Sequence, residues 1–325
     1  MRVTGPLRFR IRRLCVRALS LQSKLGSLER YYSPTELVVF AESPWASWMD
    51  RLTREQPQHA LAASADAPSA FLQMLAAKGV LQEAGVLRDA FAARGLRIAD
   101  LSSARGTEAE RAALTREAMA SGADVIYQAP LVGPGRLYGI ADFLVRVEGD
   151  GGAGSGGSGG GGGLGAEWHY TAWESKLASS PTPQQLLQLG CYAEMLREAQ
   201  GVAPRVVSLV LGGGGGPTRL ELRVADFAPQ VRRVRERFAA FHASFDPSAM
   251  PALPAPGAPA GRWTELAAAQ LKERDDLRLV ARLSKKQAAR LRVAGVGSAT
   301  ELAELGGGGK AAKLPSVRGV APEAL

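Results

Sequence analysis

The chain has 325 residues, 46% hydrophobic and 22% charged, an ordinary balance for a soluble globular protein. No run approaches the roughly 18 consecutive apolar residues of a membrane-spanning helix, and the two cysteines, Cys15 and Cys191, exclude a disulfide framework or a thiolate metal site in the body of the protein. The formal charge of +9 is lopsided: residues 1–30 hold eight Lys or Arg against Glu29 alone, and everything after them is close to neutral.

In chain order, the first 30 residues include "RFRIRRLCVRALSLQSKL", Arg-rich, acid-poor and able to form a basic amphipathic helix. That pattern is one of an organelle transit peptide, with a plain basic arm as the alternative. The first reading places the protein in a chloroplast or mitochondrion, the second inside the cell as a soluble protein.

Residues 31–245 read as the main domain. "SPTELVVFAESPWASWMDRL" is expected to be one helix, with Ser33 as N-cap, Pro34 at the first helical position and Glu36 at capping-box spacing. Helical patterns recur in "APSAFLQMLAAKGVLQEAGVLRDAFAARG" and "GTEAERAALTREAMASG". "ADVIYQAPLV" and "RLYGIADFLVRVE" read as strands joined by a "GPG" turn, and a glycine-rich insert at 149–165 leads to a third strand, "EWHYTAWESKLA". "PTPQQLLQLGCYAEMLREAQG" is a helix opened by Pro and closed by Gly201, and "PRVVSLVLG" with "TRLELRVADF" forms a second strand pair. The expected fold class is α/β, a mixed central sheet flanked by helices. A Pro/Ala-rich linker follows at 246–262, then a small helical segment at 263–325.

Period-two alternation puts Glu174 and Lys176 on one face of the third strand, with Asp142 of the preceding strand within reach. Two converging carboxylates repel unless a divalent cation lies between them, and oxygen ligands favour Mg²⁺ or Mn²⁺. An ammonium beside them has work to do if the substrate is anionic, as a phosphodiester is. Taken alone, Glu174 and Lys176 also fit an ordinary cross-strand ion pair. Gln188 and Tyr192, four apart, share a helix face over the strand end that bears Lys176, where they serve a nucleic-acid backbone, brace the lysine or pack as core.

With "GIADFL", "WESKLA" and "QLLQLGCYAEML" in this order, the chain resembles the RecB-like branch of the PD-(D/E)XK nuclease superfamily. The resemblance implies a restriction-endonuclease-like core and a metal-dependent nuclease acting on nucleic acid, DNA ahead of RNA, in repair or processing. It implies Asp142 and Glu174 as metal ligands, the carbonyl of Ser175 as a third, Lys176 as the catalytic lysine, and Gln188 with Tyr192 as the helix signature. The branch's Gly-x-x-His-Glu helix corresponds to "GVLQE", which keeps Gly79 and Glu83 but has Gln82 in place of the histidine. Glu83 is therefore the helical carboxylate ligand, ahead of Glu117, which reads as a solvated helix residue.

Many members of the branch hold an iron-sulfur cluster. Here Ser43 stands at the first cysteine position and "APAGRWTEL", with Trp263, has no cysteine, so no cluster is expected. "DLRLVARLSKKQAARLRVAGVGSATELAEL" is similar to a helix-hairpin-helix whose turn amides meet a phosphate, aided by Lys285 and Lys286, or is an ordinary basic helical hairpin. The other function class in view is a catalytically weak or inactive nucleic-acid-binding module derived from the same fold.

Overall fold

A computed structural model describes residues 30–149, 167–213 and 216–307. The basic leader and the glycine-rich insert from residue 150 onward lie outside the described residues. These divide into two compact units, one formed by residues up to Ala41 together with Pro68–Phe245, the other by Glu42–Ala67 with Asp246 onward. Residues 42–67, which the sequence reading groups with the main domain, thus belong to the second unit.

The first unit is built on a six-stranded sheet in the order β1 (Ile98–Asp100), β2 (Val125–Gly133), β3 (Leu137–Glu148), β4 (Trp168–Lys176), β5 (Val206–Leu211), β6 (Thr218–Arg223). The pairs β1–β2 and β4–β5 are parallel and the other three antiparallel, so the α/β mixed sheet expected from the sequence is present. β1 was not anticipated. Three residues are too few to display alternation, and only its parallel register with β2 defines it.

The helices begin and end where local chemistry dictates. α1 (Pro34–Glu42) opens with the capping box read from the sequence: Ser33 Oγ accepts from the Glu36 amide at 3.2 Å, and Glu36 Oε2 accepts from the Ser33 amide at 2.8 Å. The expected single helix is broken, however, and α2 (Pro44–Glu55) starts afresh. Pro44 has no amide to donate and forces the residue before it out of helical conformation, so Ser43 is extended (φ −148°) and caps α2 through an Oγ bond from the Ala46 amide at 3.2 Å. α3 (Ala70–Val86) runs into a π-turn at Leu87–Phe91, α4 (Glu108–Ala120) precedes β2, and α5 (Pro183–Gln200) ends at Gly201 (φ 76°) as predicted. α6 (Ala228–Ala243) closes the unit.

The main core lies on one face of the sheet, where Leu37 and Phe40 of α1, Met119 of α4, Leu189 and Met195 of α5, and Phe238 of α6 cover Ile126, Leu144 and Ala172. On the other face Val86 and Phe91 pack on Val125, Phe143 and Val210. Which residues face which core changes partway along β2 and β3. Leu137 and Ala141 join the main core, as does Leu144, although strict alternation would send Leu144 to the opposite side. Likewise Ala129 and Leu131 share a face with Ile126. The phase shift falls at Gln128, which has φ 50°, and at Asp142, which lies between the paired positions Tyr127↔Phe143 and Ala129↔Ala141.

In the second unit Trp48 donates to the carbonyl of Asp246 at 3.0 Å, and Trp263, fully buried, donates to Asp50 at 3.0 Å. The stretch 246–262 contains no helix or strand. α7 (Thr264–Glu273), α8 (Lys285–Val293) and α9 (Ala299–Gly307) follow, the last two joined through Gly295 (φ 90°) and closed over Leu277, Leu291, Val296 and Leu302. No described helix is long and apolar enough to cross a membrane.

Candidate active site

The ladder between β3 and β4 runs from Glu148↔Trp168 to Phe143↔Trp173. One residue further on, side chains take over from the backbone. The Asp142 amide donates to Glu174 Oε1 at 3.2 Å, and the Ser175 amide donates to Asp142 Oδ2 at 2.8 Å. The phase shift at Asp142 makes this exchange possible, because it takes the carboxylate out of regular alternation just where the two strands part. Glu174 is 1% exposed, and its Oε2 accepts from Lys176 Nζ at 2.8 Å.

Three of the predicted site residues, Asp142, Glu174 and Lys176, are thus brought together. Their electrostatics are unbalanced. Burial, and then the charge of Glu174, push the Asp142 carboxyl up to about 8; Lys176 opposes this and Glu83 adds to it. Burial also raises Glu174 against the pull of Lys176. Burial alone would lower the Lys176 ammonium, but Glu174 and Asp142 outweigh it and hold the lysine above its ordinary value.

Glu83 stands near enough to this group for its charge to act on Asp142, Glu174 and Lys176. Its Oε1 accepts from Gln128 Nε2, and the Tyr127 phenol, pushed up to about 12 by burial and by Glu83, also bonds to it. Gln128 and Tyr127 are the positions that sequence reasoning missed. Their signal was a polar residue interrupting the apolar run "VIYQAPL". Gln82, which stands where the branch has its histidine, serves the sheet: its Nε2 donates to Ser175 Oγ at 3.0 Å, to the Lys176 carbonyl at 2.8 Å and to the Val210 carbonyl at 3.2 Å. Its Oε1 sits so close to Gly212 that a side chain there would collide with it. Gln82 therefore ties α3 to the ends of β4 and β5.

Tyr192 is buried, and its hydroxyl donates to the Ile140 carbonyl at 2.8 Å, while Gln188 Nε2 lies 3.5 Å from that hydroxyl. Gly139 receives the ring: a Cβ there would lie 2.9 Å from Tyr192 Cε1. Of the roles open to this pair in the sequence, Tyr192 fills that of core packing, and its phenol holds β3 two residues short of Asp142 without touching Lys176. Glu117 is exposed, as expected. Lys285 and Lys286 are exposed on the first turn of α8 in the second unit.

Asp142 and Glu174 form an all-oxygen donor pair whose ionised state is disfavoured by burial, the condition that a hard cation relieves. Among the described residues no three His, Cys, Asp or Glu side chains form a ready-made cage. The pair fits Mg²⁺ best, since that ion uses one or two carboxylates and retains waters and substrate oxygens for the rest of its shell. Neither protein-family models nor curated proteins match this chain.

Proposed function

We propose that the first unit is a metal-dependent nuclease of RecB-like type that hydrolyses phosphodiester bonds, with DNA as its substrate. The observation that carries this reading is the meeting of Asp142, Glu174 and Lys176 at the end of the β3–β4 ladder. Asp142 and Glu174 would hold Mg²⁺ or Mn²⁺, which supplies Lewis-acid polarisation and a water of lowered pKa. Lys176, anchored by Glu174, keeps an ammonium beside the carboxylates, where it can donate to the attacking water and offset charge growing on the phosphoryl oxygens. Tyr192 and Gln82 hold β3 and β4 in place from either side.

The test is cleavage of labelled single- and double-stranded DNA and RNA in Mg²⁺ and in Mn²⁺. Asp142→Asn, Glu174→Gln and Lys176→Ala are each expected to lower the rate by about 10²-fold or more. Unchanged cleavage by all three purified variants would overturn the reading. A nucleic-acid-binding module without catalysis is the second reading, favoured by the engagement of Gln82 with the sheet and of Glu83 with Gln128. Nucleic-acid binding without cleavage, and without calorimetric uptake of Mg²⁺ or Mn²⁺, would select it.

A further inference from the structure

We infer that a cleft on the opposite face of the sheet from Glu174 is a binding site for a nucleoside monophosphate. Its existence rests on its own geometry, and its choice of ligand rests on the nuclease reading, which would make such a molecule a reaction product.

The cleft has a volume of about 430 Å³, within the range of roughly 300–1,000 Å³ that suits small-molecule sites. Val145 of β3, Trp173 of β4 and Val210 of β5 line it from the sheet, and Phe91 lines it from the π-turn. The ring centroids of Phe91 and Trp173 are 5.5 Å apart. At this point α3 does not continue regularly. The widened turn Leu87–Phe91 brings both Asp89 and Phe91 to the cleft, and such turns recur where helices meet ligands.

The exposed residues around this apolar interior include two guanidiniums, Arg94 and Arg219, and one carboxylate, Asp89. Asp89 is already matched by Arg88 at 2.7 Å. Arg219 lies over the Trp173 ring, 4.5 Å from its centre, so a guanidinium and an indole meet at the border of the cleft. Its other partner, Glu221 at 2.8 Å, is 53% exposed, so that ion pair is weak and can yield to a phosphate. An aromatic interior with guanidiniums at its border is matched by a planar base carrying an anionic group. Trp173 and Glu174 are consecutive residues pointing to opposite faces, so a ligand here leaves the Asp142, Glu174 and Lys176 group untouched.

The test is titration of the full chain with deoxyadenosine monophosphate in the absence of divalent cations, followed by calorimetry and by tryptophan fluorescence. Saturable binding is expected, weakened at least tenfold in Arg94→Ala/Arg219→Ala and retained in Asp142→Asn and Lys176→Ala. Trp173→Phe should weaken calorimetric binding and lose most of the fluorescence change. Absence of binding by the unaltered chain, equal affinity in the double arginine variant, or loss confined to Asp142→Asn and Lys176→Ala would overturn the inference. Binding that persists in a protein showing no nuclease activity with any substrate would leave the cleft standing and remove only the nuclease reading.

Discussion

Burying Asp142 and Glu174 beside a single ammonium leaves more carboxylate than cation, and the fold meets that imbalance by retaining a proton. The sign follows from linkage. A carboxyl raised in the folded state stabilises it fully below the ordinary value of about 4, and that contribution is lost as pH rises towards the folded value. For Asp142 the window runs up to about 8. Cation-free protein is therefore expected to lose stability from about pH 5 to about pH 8, and Asp142→Asn to flatten the loss and gain about 1–3 kcal/mol at the alkaline end. Urea melts across this range check it, and Mg²⁺ should stabilise the unaltered protein at pH 8 but not the variant. The residues of this group were legible in the sequence because strand parity alone puts Glu174 and Lys176 on one side. The contacts of Gln128 and Gln82 were not, because each spans elements far apart in the chain: Gln128 reaches Glu83, and Gln82 reaches Ser175 and Val210.

Elements were most legible where a local chemical signal fixed an end, as at the capping box of Ser33 and Glu36 or at Gly201 after α5. They were least legible where periodicity misled. Apolar residues recur at helical spacing on both sides of Ser43 and Pro44, so pattern favoured one helix where proline imposes two. Alternation through "GIADFL" hid the phase shift that frees Asp142 from the ladder. Packing between elements leaves a different trace, a glycine in a helix interior. Gly190 in α5 lies so close to Val231 of α6 that a methyl group would overlap the Val231 side chain. Arg235 of α6 also pairs with Glu194 of α5, keeping both helices in register. Gly190→Ala is expected to destabilise the protein by about 1–3 kcal/mol despite better helix propensity. Chemical denaturation measures this, and Val231→Ala in the same chain should recover most of the loss if contact is its cause.

At the scale of the whole molecule, the positive charge concentrated before residue 31 leaves the rest near neutral, so the nucleic-acid binding that the proposed function requires would rest on local groups. In the turn between α8 and α9 the amides of Gly297 and Ser298 already donate to Glu301 Oε2, at 2.6 and 3.3 Å, which puts an internal carboxylate where the hairpin resemblance expects a phosphate. Lys285 and Lys286, exposed on the first turn of α8, are then the lysines to test. If both meet phosphates, replacing them with alanine should reduce the slope of log affinity against log salt by about 2, measurable by fluorescence anisotropy. The same unit depends on a different charge for its integrity. Asp276 accepts from Arg278 Nε and Nη2, both at 2.9 Å, and from Arg292 Nη2 of α8 at 3.0 Å. Its hydrogen bonds to Arg278 are the main cause of a carboxyl held down at about 2. The contribution of such a group is present above the ordinary value of about 4 and lost as pH falls through the folded one. Asp276→Asn should therefore cost about 2 kcal/mol near neutrality, less than a fully buried pair because Arg292 is half exposed, with the deficit shrinking as pH falls from about 4 to about 2. Trp45, Trp48 and Trp263 belong to this unit and Trp168 and Trp173 to the first, so unfolding of this unit can be followed by tryptophan emission in a Trp168→Phe/Trp173→Phe background. A deficit that stayed constant down to pH 2 would show that the loss does not come from the charge of the Asp276 carboxylate, and that packing of α8 rather than charge holds the unit closed.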